Sequence, residues 1–291
     1  MLDFTDLFRR AVVEPFIDEY RAGRTPNPCV ACNRSVKFDP LLEWGRGLGA
    51  ECVATGHHAR LRFASDGRAR LLRGADPDKD QSYALWPIAA GTLRHVRFPV
   101  GEIDKARVRQ IASELGLESA RRAESQDICF AAPGEYPALI EERDPEDPSL
   151  RPGPIEDESG VVLGRHQGIA RYTIGQRKGL GISAPRPLYV LQLDLARRAV
   201  VVGPQESLFR RSLVADCVNC LAPLEPGVPY RVEAKIRYRQ ASAPATAILH
   251  VDGTMRVEFD EPRSAIAPGQ SVVLYRGDEV LAGGAIRESL P

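Results

Sequence analysis

The chain has 291 residues, 43% hydrophobic and 27% charged, which suits two or three globular domains with cores of their own. Its 39 basic and 39 acidic residues give a net charge of +0. That balance neither advertises nor excludes a nucleic-acid binder, and it leaves local clusters (Arg60 and Arg62, 68–73, Arg121-Arg122, 171–186, 231–239) whose plain alternative is a solvated, arginine-preferring surface.

No apolar run approaches the ~20 residues of a membrane span. Residues 1–6 lack the basic stretch and apolar core of a signal peptide. The expected location is the cytoplasm, with no membrane partner. Residues 5–22 carry Leu7, Phe8, Ala11, Val12, Phe16, Ile17 and Tyr20 at helical spacing. Thr5 is placed to cap the start, Gly23 to end the helix and Pro15 to kink or split it. A loop stiffened by Pro26 and Pro28 follows, with Cys32 at its end, just before a helix. Asp39-Pro40 opens a second short helix, with proline at the first helical position, and Gly49 stops it. Residues 52–55 read as a buried strand in which Cys52 is inert packing, and Gly56-His57-His58 as the loop at its carboxyl end. Asp104 caps a third helix, with Val108, Ile111, Ala112 and Leu115 on one face and Gly116 as its terminator. Helix, strand, loop and helix in this order predict an α/β sheet, which binds ligands outside the carboxyl ends of its strands.

The texture changes near residue 140. Residues 141–154 are charged and proline-rich, as in a linker, and 160–181 are glycine-rich. Strands dominate after residue 206. In 230–239, Val232, Ala234, Ile236 and Tyr238 alternate with Arg231, Glu233, Lys235, Arg237 and Arg239, which predicts a half-buried strand with a basic outer face. Asp252-Gly253 between two apolar runs is a hairpin signal. Residues 272–275 and 280–286 repeat the pattern around Gly277-Asp278, so about six short antiparallel strands are expected to close a small β-barrel.

The cysteines are Cys29, Cys32, Cys52, Cys129, Cys217 and Cys220. In a reducing cytosol, paired cysteines point to metal binding or redox chemistry rather than a disulfide scaffold. Cys29-x-x-Cys32 and Cys217-x-x-Cys220 could be halves of one zinc site, but structural zinc sites usually keep their pairs close in sequence. The plain reading of Cys217 and Cys220 is two small buried or edge residues. Cys32 and Cys129 have the most specific surroundings: Asn27-Pro28-Cys29-Val30-Ala31-Cys32-Asn33 and Ser125-Gln126-Asp127-Ile128-Cys129-Phe130. Cationic neighbours and helix N-termini lower a thiol's pKa, and Cys32 precedes Arg34 and a helix. The residues alone define an α/β, enzyme-like domain with a candidate redox pair.

Further motifs occur in order: Gly23-Arg24-Thr25-Pro26-Asn27-Pro28, Cys32-Asn33, Lys37-Phe38, Thr55-Gly56-His57, Lys79-Asp80-Gln81-Ser82-Tyr83 and Ile128-Cys129-Phe130. Tyr172-Thr173-Ile174-Gly175-Gln176-Arg177-Lys178-Gly179-Leu180-Gly181, Lys235-Ile236-Arg237-Tyr238-Arg239-Gln240 and Pro268-Gly269-Gln270 follow. Over essentially the whole chain this series resembles the bacterial tRNA-specific 2-thiouridylases, the MnmA/TrmU family. The resemblance implies an α/β fold: a partial PP-loop, adenine-nucleotide-hydrolase-like domain at 1–140, a small central tRNA-binding domain at 141–205 and a C-terminal antiparallel β-barrel at 206–291.

It also implies a sulfurtransferase acting on tRNA, with ATP and magnesium as cosubstrate, that replaces the C2 oxygen of the wobble uridine with sulfur. ATP adenylates that oxygen. Cys129 carries a persulfide delivered by a sulfur-relay protein, Cys32 is the partner nucleophile, and a Cys32–Cys129 disulfide results, to be reset by a reductant. By motif, Gly56 contacts ATP and His57 contacts tRNA. Asn27, Pro28 and Cys29 touch the target base, and Lys79, Asp80 and Gln81 form a tRNA-contacting loop. Arg237, Tyr238 and Gln270 are contacts from the barrel. Extruding one anticodon base into a pocket fits how enzymes reach a base's own atoms. The plain alternatives are a polar turn at 79–81 and an ordinary strand edge at Arg237 and Tyr238.

Two departures matter. The family's Ser-Gly-Gly-x-Asp-Ser phosphate loop is absent, and only Gly283-Gly284 offers adjacent glycines. Backbone N–H groups that approach phosphate closely are needed to cradle it. The expectation is therefore weak or absent ATP-dependent activity from this chain alone, a separate N-terminal fragment as partner, and an unpaired sheet edge. The alternative is a non-catalytic tRNA-binding remnant. The second departure is Cys29, which stands where many members carry aspartate. With Cys32 and Cys129 it could ligate an iron–sulfur cluster. A generic thiol oxidoreductase is disfavoured, because the flanking prolines do not match a thioredoxin-like pattern.

Overall fold

The computed structural model describes residues 2–121, 128–131 and 136–290. At the N-terminus, α1 (Thr5–Phe8), a π-helical turn (Arg9–Val13) and α2 (Glu14–Arg21) form one continuous helical stretch. The break expected at Pro15 is absorbed by the wider turn ahead of it, where a proline's missing N–H leaves no standard helical bond to lose. Asp3, not Thr5, caps the start: its Oδ1 accepts from the Thr5 N–H at 2.8 Å. Gly23, at φ +67°, ends the stretch as expected. Next come α3 (Pro28–Cys32), a second π-helical turn (Asn33–Lys37) and α4 (Asp39–Gly47). Cys32 therefore lies inside a helix rather than at the end of a loop.

β1 (Val53–Ala54) precedes the hairpin of β2 (Ala59–Phe63) and β3 (Ala69–Arg73), then α5 (Ala90–Leu93) and β4 (Val96–Arg97). β1 and β4 pair in parallel. Cys52, expected in a buried strand, is exposed just ahead of β1. Asp104 does cap α6 (Lys105–Glu114), accepting from the Arg107 N–H at 2.7 Å. The apolar face expected on that helix buries nothing, and Leu115 is 67% exposed. The segment expected as a linker is ordered, because its charges pair with α2. α7 (Tyr136–Arg143) packs Ile140 against Phe16, Ile17 and Tyr20. Arg143 reaches Asp18 at 2.9 Å, and Asp147, 2% exposed, pairs with Arg21.

β5 (Gly153–Asp157), β6 (Val162–His166), β7 (Tyr189–Asp194) and β8 (Ala199–Gly203) form a central sheet in the order β6-β5-β8-β7. Its core is Ile155, Ile169, Leu180, Val190, Val200 and Val202. The last six strands are β9 (Phe209–Cys220), β10 (Pro229–Lys235), β11 (Ala243–Leu249), β12 (Met255–Ser264), β13 (Ser271–Arg276) and β14 (Glu279–Leu290). They run antiparallel in the order β13-β10-β11-β12-β9-β14, and the β13–β14 pairing closes the barrel. Asp252-Gly253 makes the expected turn between β11 and β12, with Gly253 at φ +81°. An α/β part, a small central unit and a closed antiparallel barrel are thus the fold class the sequence predicts.

The barrel's outer wall is not free. Val232, Ala234 and Ile236 face its core, but Lys235, expected on a solvated basic face, is only 9% exposed. Its ammonium lies over the Tyr83 and Tyr238 rings, because the N-terminal part covers that wall. The β2–β3 hairpin joins the barrel sheet through β14, with Glu279 opposite Leu72. Residues 82–88 lie against β13 and β14. The Tyr83 hydroxyl donates to the Ser271 carbonyl at 2.8 Å and the Trp86 indole N–H to the Ser271 hydroxyl at 3.0 Å. Gly283 permits the contact, since a Cβ there would stand 2.5 Å from the indole. Asn219 donates to the carbonyls of Trp86 and Ile88. Leu71, Tyr83, Leu85 and Trp86 share one core with Val273, Tyr275 and Val280 of the barrel.

Because that core is shared, Trp86→Ala should cost about 3–5 kcal/mol, the usual range for removing a large buried aromatic. Urea unfolding followed by far-UV circular dichroism and tryptophan fluorescence should move together in one transition, rather than separate into two.

Candidate functional site

Asn27 starts the site. It is the N-cap of α3, its Oδ1 accepting from the Cys29 N–H at 3.1 Å, and Pro28 occupies the first turn, where no N–H is needed. Cys29 is exposed and Cys32, one turn on, is half-buried. Asn33 is 1% exposed and donates to the Ala84 carbonyl at 2.8 Å, which fixes this helix to the segment lying on the barrel. Cys129 is exposed between Ile128 and Phe130, which pack among α1, α2 and α7. The Phe130 ring meets Phe8 and Phe16 edge-on at 5.6 and 5.2 Å. Ser125, Gln126 and Asp127 lie outside the described residues.

Cys29, Cys32 and Cys129 are close enough for their charges to interact. Desolvation pushes the Cys29 and Cys32 thiols above the ordinary cysteine range. The Lys37 ammonium pulls them back down, and charge on Cys129 adds to the rise. This reverses the expectation of a thiol lowered by a helix N-terminus, since Cys32 sits a full turn past it. All six cysteines are free, so the Cys32–Cys129 disulfide is not formed in this structure. Among the described residues, no group of three or more His, Cys, Asp or Glu side chains is arranged to hold a metal ion.

Thr55, Gly56 and His57 follow β1, at the carboxyl end of the two parallel strands. Gly56 is exposed, and a Cβ on it would meet nothing within 4 Å. The Thr55 hydroxyl and His57 Nδ1 are 2.8 Å apart. The His57 ring packs against Phe38 at 5.8 Å and Phe98 at 6.0 Å. Burial, with the charges of Lys37 and His58 behind it, pushes its pKa down to about 4. His57 is therefore a neutral ring at pH 7. Lys37 acts on both the thiols and the imidazole. The Lys37-Phe38 motif by itself assigns this lysine no role, because only the π-helical turn after α3 brings it round to them.

The remaining residues divide by where their side chains are engaged. Asp80, 6% exposed, accepts from the Gly74 N–H, the Ser82 N–H and the Ser82 hydroxyl at 2.9–3.0 Å. Gln81 accepts from the His58 N–H at 2.8 Å. Both brace the turn that carries His57, while Lys79 is half-exposed beside them. The Arg237 guanidinium donates to the Ile174 carbonyl at 2.9 Å and the Ala265 carbonyl at 3.1 Å, linking the central unit to the barrel. Gln270 donates to the Thr25 carbonyl at 2.7 Å, and the Thr25 N–H donates to the Pro268 carbonyl at 2.8 Å. Gly269, at φ +87°, is required there, since a Cβ would stand 2.9 Å from the Thr25 nitrogen. The barrel thus grips the loop that leads into α3. Tyr238 is 42% exposed at the barrel edge, its ring 6.3 Å from that of Tyr83.

Comparison with known proteins follows the same three parts. Residues 1–133 match the family described as tRNA methyl transferase HUP domain, 147–204 the tRNA methyl transferase PRC-barrel domain, and 210–286 the aminomethyltransferase beta-barrel domain. That order defines a HUP-domain protein of the tRNA-modifying class. The tRNA-specific 2-thiouridylase MnmA of Moorella thermoacetica is 49% identical over 98% of this chain and 80% of its own length. Those of Magnetococcus marinus and Geotalea uraniireducens are 47% and 45% identical over 96% and 100% of this chain, and 77% and 76% of their own lengths. The chain belongs to the MnmA/TrmU family of tRNA-specific 2-thiouridylases. Among the described residues, no helix is long and apolar enough to cross a membrane.

Alkylation of Cys32 by iodoacetamide, read by peptide mass spectrometry, should rise with pH to a midpoint above that of an ordinary thiol. Lys37→Ala should slow it severalfold at pH 8 by removing the cation that favours the thiolate. An NMR titration of His57 should find its midpoint at about 4. The unfolded ring titrates at about 6.5, so the neutral ring contributes stability that is present above that pH and lost as pH falls to about 4. His57→Gln should flatten the loss of stability across this window.

Proposed function

We propose that this chain acts on tRNA as an ATP-dependent sulfurtransferase, placing sulfur at C2 of the wobble uridine. Family membership supports the reading. The observation that carries it is the approach of Cys129 to Cys29 and Cys32 of α3, beside Lys37 of the turn that follows. Handing sulfur between two cysteines requires such proximity.

A ring carbonyl oxygen is a poor leaving group. ATP, carried with its magnesium, supplies a better one by adenylating the oxygen, and Thr55 and Gly56 are the residues here that would hold the nucleotide. The open space over Gly56 fits that role. Asn27, Pro28 and Cys29 line the place for the extruded base. The terminal sulfur of a Cys129 persulfide, loaded by a sulfur-relay protein, attacks C2. The Cys32 thiolate then attacks Cys129 Sγ. A Cys32–Cys129 bond forms, the persulfide bond breaks, and its electron pair stays on the transferred sulfur. That sulfur closes to a thiocarbonyl as AMP departs. A dithiol reductant returns both cysteines to the free thiols seen here. Desolvation of Cys32 keeps it protonated until the step that needs it, which limits wasteful attack on the incoming persulfide. His57 meets the tRNA as a neutral hydrogen-bonding ring, Lys79 as a cation and Tyr238 as an aromatic face for stacking. Asp80, Gln81, Arg237 and Gln270 act by holding these groups in place.

The test is mass spectrometry of tRNA from a strain whose only thiouridylase gene encodes this chain. 2-Thiouridine should be present when a protein supplying the phosphate-binding loop accompanies the chain and weak or absent without it, and Cys32→Ala and Cys129→Ala should each reduce it to background. Thiolation that survives Cys129→Ala overturns the persulfide route. A brown, iron-containing protein purified without oxygen, losing its iron with any of Cys29, Cys32 or Cys129, favours a cluster instead. Binding of tRNA with no 2-thiouridine formed leaves only a tRNA-binding protein.

A further inference from the structure

Between Glu158 and Asp194 the chain carries Arg165, Arg171, Arg177, Lys178 and Arg186 and no carboxylate, although basic and acidic residues are equal overall. Within this stretch, residues 177–188 form a loop tied at its base. There Gly175 donates to the Val190 carbonyl at 2.8 Å and Val190 to the Gln176 carbonyl at 2.9 Å. Gln176 fixes the entry, accepting from the Thr173 N–H and donating to the Lys178 carbonyl. Leu180 is buried in the central core, and Ile182 and Leu188 pack against it. Ile182 sits directly on Gly164 of β6, where a Cβ would be 2.6 Å from its methyl group.

The loop is therefore held by its apolar side chains, while among the described residues its backbone N–H groups are left unused. Among the described residues, no acceptor takes a hydrogen bond from any backbone N–H between Arg177 and Leu188. Arg177, Lys178 and Arg186 are exposed, and among the described residues none of the three is in an ion pair. Gly179 and Gly181, both at positive φ, leave the backbone uncovered. Arg177, Gly179, Gly181 and Arg186 line a groove of about 470 Å³. Unpaired N–H groups, bare glycine backbone and two guanidinium forks facing one groove are the chemistry that recognises phosphate oxygens.

We infer that this loop is a phosphate-binding cradle for the backbone of tRNA, with Arg177 and Arg186 as its forks and the glycine N–H groups as its floor. The inference rests on the reading that the chain acts on tRNA, and it adds residues other than the cysteines and the motif contacts. The loop is fixed before any ligand arrives, so binding orders little chain. It reads charge and spacing rather than sequence.

The test uses the whole chain and an unmodified tRNA transcript with a wobble uridine, followed by fluorescence anisotropy across a salt series. Arg177→Ala with Arg186→Ala should weaken binding by about tenfold and flatten the log-log salt slope by about two, near one for each phosphate that is no longer neutralised. Arg177→Lys with Arg186→Lys should recover most of the slope. Tripolyphosphate as competitor separates the two sources of phosphate: it should displace tRNA only at high concentration, and tight competition would assign the cradle to a nucleotide instead. The rate of Cys32 alkylation should be unchanged in the alanine variant, which shows that the protein is still folded around its cysteines. Equal affinity and equal slope for wild type and folded variant overturn the cradle while leaving the tRNA reading intact. A wild type that binds no tRNA overturns both.

Discussion

Residues 80–88 are the segment on which the rest of this protein hangs. Tyr83 and Trp86 both hydrogen-bond Ser271, one to its carbonyl and one to its hydroxyl, and the indole fits only because residue 283 is glycine. The same segment reaches the other way. The Ala84 carbonyl accepts from Asn33, next to Cys32, and Gln81 holds the backbone of His58. One strip of chain thus fixes the cysteine helix and the turn after β1 to the outside of a closed barrel. The barrel grips back through Pro268, Gly269 and Gln270 on the Thr25 loop. The site inherits its rigidity from this two-sided hold, which fixes Cys32 and the turn that carries His57 relative to one another.

That hold has an electrostatic consequence. Seating α3 against the barrel-bound segment crowds Cys32, which is half-buried, and partly desolvates the more exposed Cys29, and the thiols are raised rather than lowered. Lys37 is the local counterweight. The same surroundings keep His57 neutral, because burial and a nearby ammonium both disfavour a second positive charge. Cys29 and Cys32 therefore rest as thiols beside an uncharged imidazole. Exposed positive charge lies elsewhere, in side chains such as Arg177 and Arg186, which among the described residues are in no ion pair.

Much of the fold was legible in residue order. The period-two pattern of 230–236, the Asp252-Gly253 turn and the repeated apolar runs after 270 foretold a small antiparallel barrel, and the ends at Gly23 and Gly49 and the Asp104 cap fell where local chemistry put them. These features are decided by neighbours in the chain: backbone sterics at glycine, a carboxylate beside an N–H, alternation across a pleat. The motifs around Cys32 and Cys129 single out those residues as candidates, while nothing local says that their charges come close enough to interact.

What the sequence could not decide was which faces would be covered. Lys235 occupies an outward position in the alternation, yet it is buried because another part of the chain lies on that wall. Residues 141–154 look like a linker until Asp147 and Arg143 find Arg21 and Asp18 across a helix. Asp80, Gln81, Arg237 and Gln270, expected from the motifs as tRNA contacts, also close internal hydrogen bonds that residue order does not foretell. Local patterning determined the elements, their ends and the family. Only the packing of distant segments decided burial, and burial sets the state of the thiols and of His57, because desolvation depends on every atom that excludes water and not on the residues alongside.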